Sequence, residues 1–290
     1  MGKSDQTFIL NRLERVASLL ARNQKILDEV TSKNLIKDIS ELIELRKEQV
    51  LAHTIENESQ LTEYKRYKIS ELIVLAIYPK FKFPEFERIW LDDKDFLNYY
   101  KSIMDPDNWH SYDRKYTLQN LVRSVINLEG DIAEAGVYKG ASAYLMCKEN
   151  LIKPESKVYL FDSFQGLSKP KLADGNYWRE GVFSTPVSEL ATTLRKFNNY
   201  FVLEGWIPSR YNEIEDKKFK FVHIDVDLFE PTFDSISFFY HRVVPGGMIL
   251  LDDYGFYSCP GAKKAVDKFM KDKTEKIINL TTGQGLIIKI

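Results

Sequence analysis

The sequence predicts an α/β fold, a mostly parallel sheet closed by one antiparallel strand and preceded by a helical extension. Three observations carry that expectation. Short β-branched and aromatic runs alternate with helical patterns through the later part of the chain, which is the signature of strand–helix–strand units. Most of these runs stop at a glycine or an acidic residue, as strands do at an edge that binds ligands. The last two runs, Lys276 to Leu280 and Leu286 to Ile290, are joined by Gly283-Gln284-Gly285, a connection short enough only for a hairpin.

The composition sets the outer limits. A chain of 290 residues has room for one large domain with an extension. A hydrophobic fraction of 44% with 29% charged residues is ordinary for a globular protein. Lys+Arg 41 against Asp+Glu 42 gives a net charge of -1, so no global field selects nucleic acid or an anionic membrane. No signal-peptide core or spanning stretch is evident, and the two cysteines suit a reduced compartment, so a cytoplasmic location is expected. Cys259 lies just ahead of an expected helix N-terminus, which would lower its pKa; the alternative is a small buried apolar residue.

The chain divides into a helical extension over residues 1–65, a helical and aromatic lid or linker over 66–110, and the α/β domain over 111–290. In the extension, Ile9, Leu13, Val16, Leu20, Leu27 and Val30 form a heptad-like seam, followed by a second helix through Ile36, Ile39, Ile43 and Val50. These helices either mediate a homo-oligomer or pack on the main domain. Ser70 to Tyr78 reads as an apolar helix, and Phe81 to Trp90 is aromatic enough for core or for a ligand cover. Tyr116 to Asn127 is an amphipathic helix leading into the sheet.

Asp131 to Val137 is the first strand; the turn holding Gly136 and Gly140 leads into a helix from Ser142 to Asn150. Glycines there let backbone approach a ligand, and the helix offers its N–H groups. Lys157 to Phe161 is a second strand ending at Asp162, about twenty positions beyond the loop, where this class of fold holds a ribose diol. Ser168 to Ser188 is a long loop in a substrate-facing position. Tyr200 to Leu203 ends in Glu204-Gly205-Trp206, where an indole could cover a flat base.

Phe219 to Ile224 is a buried strand ending at Asp225-Val226-Asp227. A helix opens at Glu230-Pro231-Thr232. Pro245-Gly246-Gly247 turns the chain into Met248 to Leu251, which ends at Asp252-Asp253. A right-handed crossover makes these strands parallel and brings Asp225, Asp252 and Asp253 to one edge. Carboxylates so placed repel unless protons or a hard divalent cation neutralise them; the other reading is that they cap helices or face water.

The segments Glu134-Ala135-Gly136-Val137-Tyr138-Lys139-Gly140, Phe161-Asp162-Ser163-Phe164-Gln165-Gly166-Leu167, His223 to Glu230, and Asp252-Asp253-Tyr254-Gly255 with Cys259-Pro260-Gly261-Ala262 resemble the class I S-adenosylmethionine-dependent methyltransferases. Within that class the chain is similar to the macrocin, mycinamicin and novobiocic acid O-methyltransferase family over about Tyr112 to Ile290. The resemblance implies a Rossmann-like sheet of seven strands, the last antiparallel. It also implies S-adenosylmethionine as cofactor, Mg2+ as metal, and methyl transfer to a hydroxyl of a small molecule or glycan, commonly on a sugar. Carried over by position, Asp225, Asp252 and Asp253 would ligate the metal. Asp227 would be the base, with Asp225 beside it in catalysis and His223 as the alternative base. Glu134, Gly136, Gly140, Ser142, Asp162, Ser163, Gly205, Trp206 and Asp225 would line the cofactor. Two other readings stand beside this one: an NAD-linked oxidoreductase or epimerase, which would want G-x-G-x-x-G, and a non-catalytic scaffold acting through the N-terminal helices.

Overall fold

The computed structural model describes residues 89–103 and 111–290. The expected helices between residues 5 and 51, the apolar helix at 70–78 and the aromatic stretch up to residue 88 lie outside the described residues. The chain divides into two units, Met1–Trp109 and His110–Ile290. In the first, a 3₁₀ turn at Ile89–Leu91 precedes helix α1 (Lys94–Ile103), which begins where Asp93 Oδ1 accepts the Phe96 N–H at 2.9 Å. That helix lies within the region expected to be helical and aromatic, 66–110, for which the sequence reading gives no helix with these bounds.

The second unit opens with α2 (Tyr112–Val125) and continues through β1 (Asp131–Ala135), α3 (Ala141–Glu149), β2 (Val158–Asp162), α4 (Val187–Leu194), β3 (Tyr200–Glu204), β4 (Phe219–Ile224), α5 (Phe229–Phe239), β5 (Val243–Leu251), α6 (Pro260–Met270), β6 (Ile278–Asn279) and β7 (Gly285–Ile288). These strands form one sheet in the order β3-β2-β1-β4-β5-β7-β6. The pairs among β3, β2, β1, β4 and β5 are parallel, and β7 runs antiparallel between β5 and β6. The seven-stranded sheet with its antiparallel last strand is thus the one expected. No helix among the described residues is long and apolar enough to cross a membrane.

Every residue of β4 is buried, as befits a central strand covered on both faces. Phe219, Phe161, Tyr211 and Phe239 form the aromatic heart beside it, with Phe161–Tyr211 ring centroids 4.9 Å apart and Phe219–Phe239 5.2 Å apart. Burial of each such ring contributes about 1.5–3 kcal/mol relative to exposure. This core fixes β4, and β4 in turn fixes the aspartates at its carboxyl end.

Two expectations change. Pro245-Gly246-Gly247 is not a turn between elements but lies within β5, beside an irregularity in its register with β4 between Phe219 and Phe221. The segment stays in the sheet because Gly246 N–H donates to the Lys289 carbonyl at 2.8 Å and Gly247 accepts from Lys289 N–H at 2.9 Å. A side chain at Gly247 would meet Val243 Cγ1 at 2.8 Å and the Lys220 carbonyl at 2.9 Å. The loop expected over residues 168–188 carries a 3₁₀ turn at Leu172–Asp174 and runs into α4, so part of it is ordered by its own hydrogen bonds.

Candidate active site

The strand ends form a continuous ledge. Gly205 N–H donates to the Asp162 carbonyl, Gly136 to Phe161, Asp225 to Ala135 and Asp252 to Ile224, each at 2.9 Å. The sheet's ladder therefore runs one residue past β1, β3, β4 and β5, and it holds those residues side by side at the carboxyl edge. Gly136 has φ +84°, and a Cβ there would sit 1.8 Å from the Asp225 carbonyl oxygen, so only glycine lets the β1 loop pass this close to β4. Asp162 braces the same loop: Oδ2 accepts the N–H groups of Val137 and Tyr138 at 2.8 Å, and Oδ1 accepts Phe164 N–H at 2.7 Å. Ser163 Oγ accepts Gln165 N–H at 3.1 Å, shaping the loop after β2.

On the other half of the ledge, side chains meet rather than backbone. His223 is fully buried in β4, opposite Glu134 on β1 in the register. Its Nδ1 lies 2.9 Å from Glu134 Oε1 and its Nε2 3.3 Å from Asp252 Oδ1. Asp252 Oδ1 also accepts Gln284 Nε2 at 2.7 Å, and its Oδ2 pairs with Arg114 Nη1 of α2 at 2.5 Å. The Arg114 guanidinium lies 4.9 Å from the centroid of the Phe256 ring, a cation–π contact that steadies it. Asp253 Oδ2 accepts Asp227 N–H at 2.9 Å, and the Cys259 thiol reaches Asp227 Oδ1 at 3.3 Å. Asp227 takes a left-handed backbone with φ +59°, a conformation aspartate tolerates better than most residues.

Crowding governs the charges. Burial, then Asp252 and Asp253, push Asp225 up to about 8. Burial and Asp225 push Asp227 up to about 7, and burial with Asp227 and Asp252 holds Asp253 well above the usual carboxylate range. Asp252 goes the other way: against its burial, Arg114 and His223 hold it well below that range. His223, also against its burial, is raised to about 10 by its hydrogen bonds to Asp252 and Glu134. Five carboxylates (Glu134, Asp225, Asp227, Asp252, Asp253) thus face three cationic groups (Arg114, Lys115, His223), an excess of two negative charges when all are ionised. Two sets of side chains offer ligand atoms within 4.8 Å of one another: His223, Asp225 and Asp252, and Asp227, Asp253 and Cys259.

Asp225, Asp227, Asp252, Asp253, His223 and Glu134 thus form one cluster beside Gly136, while Asp162, Ser163, Gly205 and Trp206 lie at the ends of β2 and β3. Trp206 is exposed. Ser142 Oγ accepts Lys115 Nζ at 2.5 Å, and Gly140, with φ +86°, starts α3 without a capping side chain. Cys259 is buried at the start of α6, where its thiol is pushed up by burial and by Asp253 and Asp227, so the small buried side chain is the reading that fits. Sequence reasoning missed Arg114, Lys115 and Gln284, together with Asp174; Trp178, within the loop read as substrate-facing, places its Nε1 3.3 Å from Cys259 Sγ. One signal was present: Lys115, Leu118, Gln119, Val122 and Val125 share the buried face of α2, so helical spacing already places a lysine inside.

A family model described as macrocin O-methyltransferase (TylF) matches residues 110–281, more than half of the chain. Demethyldecarbamoylnovobiocin O-methyltransferase of Streptomyces niveus is 29% identical over 189 residues, covering 57% of this chain and 69% of that protein. Mycinamicin III 3''-O-methyltransferase of Micromonospora griseorubida is 27% identical over 179 residues, covering 54% of this chain and 67% of that one. Among solved structures, the O-methyltransferase NovP superposes with a TM-score of 0.51 at 24% identity, over 64% of this chain and 84% of its own. The calicheamicin methyltransferase CalS11 gives 0.56 at 16% identity, over 81% and 95%. At these identities the structural likenesses establish the fold.

Proposed function

Because the chain belongs to the macrocin O-methyltransferase (TylF) family, we propose that it transfers the methyl group of S-adenosylmethionine to a hydroxyl, on a sugar of a glycan or natural product, with the help of a divalent cation. The family match sets aside the NAD-linked and scaffold readings. The observation that carries the mechanism is the meeting of Asp225, Asp227, Asp252 and Asp253 on the same ledge as the glycine loop. By their names the relatives above act on demethyldecarbamoylnovobiocin and on mycinamicin III, which supports a natural-product or sugar acceptor here.

The residues fit both groups. Glu134 Oε2 is buried with no hydrogen-bond partner, an acceptor suited to the ammonium of the cofactor's amino-acid end. Asp162 stands at the end of β2 for the ribose, with Gly205 and Trp206 at the neighbouring strand end for the adenine. The excess of two negative charges at full ionisation suits Mg2+, which Asp225 and Asp252 of one ligand set and Asp253 of the other would hold. When bound, the cofactor supplies an activated methyl on a sulfonium, and the cation supplies Lewis-acid polarisation of the acceptor hydroxyl.

Proton transfer falls to the chain. Asp227 is the general base of this proposal: burial and Asp225 push its carboxylate up to about 7, toward the range where a base is effective, and Oδ1 is oriented by the Cys259 thiol. His223 suits that role less well, since both ring nitrogens face carboxylates and the ring is fully buried. It instead ties Glu134 to Asp252 and so couples the two halves of the ledge. Arg114 shares Asp252 and keeps that carboxylate ionised.

Calorimetry with S-adenosylmethionine, followed by a screen of nucleotide sugars and glycosylated natural products with Mg2+ or with chelator, tests the proposal. Cofactor binding in the micromolar range and methyl transfer that stops with chelator and returns with Mg2+ are expected. Binding without any metal dependence of transfer would remove the cation from the mechanism, and absence of binding would remove the cofactor.

A further inference from the structure

We propose that Lys115, seated on Ser142, anchors the carboxylate of the cofactor's amino-acid end and makes the chain selective for a cofactor that carries that carboxylate. The inference rests on the S-adenosylmethionine reading above and adds a residue that the sequence motifs do not contain.

Lys115 is only 4% exposed, and its Nζ donates to Ser142 Oγ at 2.5 Å. A buried ammonium carries three donors and is costly to bury unless an anion faces it. No ion pair reaches Lys115 among the described residues. The carboxylates that sense its charge, Glu134, Asp225 and Asp252, make no hydrogen bond to its Nζ, and Asp252 is already shared by Arg114, His223 and Gln284. Hydroxyl solvation by Ser142 is a weak substitute for a counter-ion. The ammonium thus has carboxylates in its field but one hydrogen bond, to Ser142, and its other two donors are left for a ligand.

The surroundings say which anion. Ser142 is the second residue of α3, and Gly140, which precedes the helix, has no side chain to cap it, so the first turn favours negative charge. The end of β1, where the chain turns into the loop before α3, offers the opposite sign: Glu134 Oε2 is buried and unpartnered. A cation with spare donors on α2 and an anion with a spare acceptor on β1 complement a zwitterion. The amino-acid end of S-adenosylmethionine is one. Lys115 is held for the task because α2 is pinned along α3: Gln119 Nε2 reaches Glu149 Oε1 at 2.7 Å and Arg123 Nε reaches Glu149 Oε2 at 2.9 Å.

The test compares S-adenosylmethionine with its decarboxylated form, which keeps the sulfonium and the amine and lacks only the carboxylate. Calorimetry on the wild-type chain should show decarboxylated cofactor binding about 10- to 100-fold more weakly, the loss of one charge-assisted contact. Lys115→Met should weaken S-adenosylmethionine by a similar factor and leave the decarboxylated form within about 2-fold. Equal affinity of the wild-type chain for both forms overturns the proposal without any variant, as does an equal loss of both in Lys115→Met, which would make Lys115 a brace for α3. If the wild-type chain binds neither form, the cofactor reading itself fails, an outcome separate from these two.

Discussion

Asp162 and Asp225 sit on neighbouring parts of one sheet edge, yet the fold treats their charge in opposite ways. Asp162 receives three backbone N–H groups, and Asp174, in the loop beyond it, receives two: Lys171 N–H on Oδ2 and Phe229 N–H on Oδ1, both at 2.7 Å. In each case the chain brings donors to the carboxylate and so holds a loop or the start of α5, while Asp162 Oδ1, with a single N–H, keeps acceptor capacity for the proposed ribose contact. Around Asp225 the chain brings more carboxylates. Repulsion and burial raise Asp225, Asp227 and Asp253 together, and the cations Arg114 and His223 are drawn to Asp252. A carboxylate that backbone N–H groups satisfy keeps its charge at little cost; a group of them left mutually unsatisfied is a demand for protons or a cation.

The sharpest way to break that comparison is Asp227→Asn, which keeps shape and removes the proton acceptor. Turnover should fall about 10²–10⁴-fold if Asp227 is the base, with cofactor affinity within about 2-fold of wild type. Initial rates with a saturating acceptor and calorimetry with S-adenosylhomocysteine measure the two separately. An unchanged rate would return Asp227 to the class of Asp162.

On the other side of the comparison, Asp174→Ala takes the charged acceptor from the N–H groups of Lys171 and Phe229 and opens space beside Gly261, where a Cβ would meet Asp174 Oδ1 at 1.9 Å. The expected cost is about 1–3 kcal/mol of stability, read from urea unfolding, with cofactor affinity nearly unchanged. A variant as stable as wild type would mean that backbone donors near Asp174 find other acceptors and that the charge is not structural.

How far the sequence reached obeys the same division. The strand ends at Asp162, Asp225 and Asp252 were legible because each depends on a local run and its stop. The sheet was legible because β-branched runs and Gly283-Gln284-Gly285 leave few topologies. Arg114, Lys115 and Gln284 were not, since they reach the ledge from α2 and from the turn before β7, far along the chain. Pro245-Gly246-Gly247 misled for a related reason: its composition says turn, while its partner Lys289, at the end of the chain, keeps it in the sheet.

The smallest expected effect tests the unsatisfied half directly. Above pH 8, where Asp225 is ionised, Asp225→Asn removes one charge from a site where burial and two neighbouring aspartates already oppose it. Asparagine preserves the volume, so packing changes little, and relief of repulsion remains as the main consequence. In chelator the variant should therefore be more stable than wild type by about 0.5–2 kcal/mol, a residue kept for function at a cost in stability. Saturating Mg2+ should reverse the order, because the wild-type chain gains binding free energy that the variant, short of one ligand, largely forgoes. Thermal unfolding in chelator and in Mg2+ gives both comparisons. A variant less stable than wild type in chelator would show that Asp225 is held by donors as Asp162 is, and the contrast between the two halves of the ledge would fail.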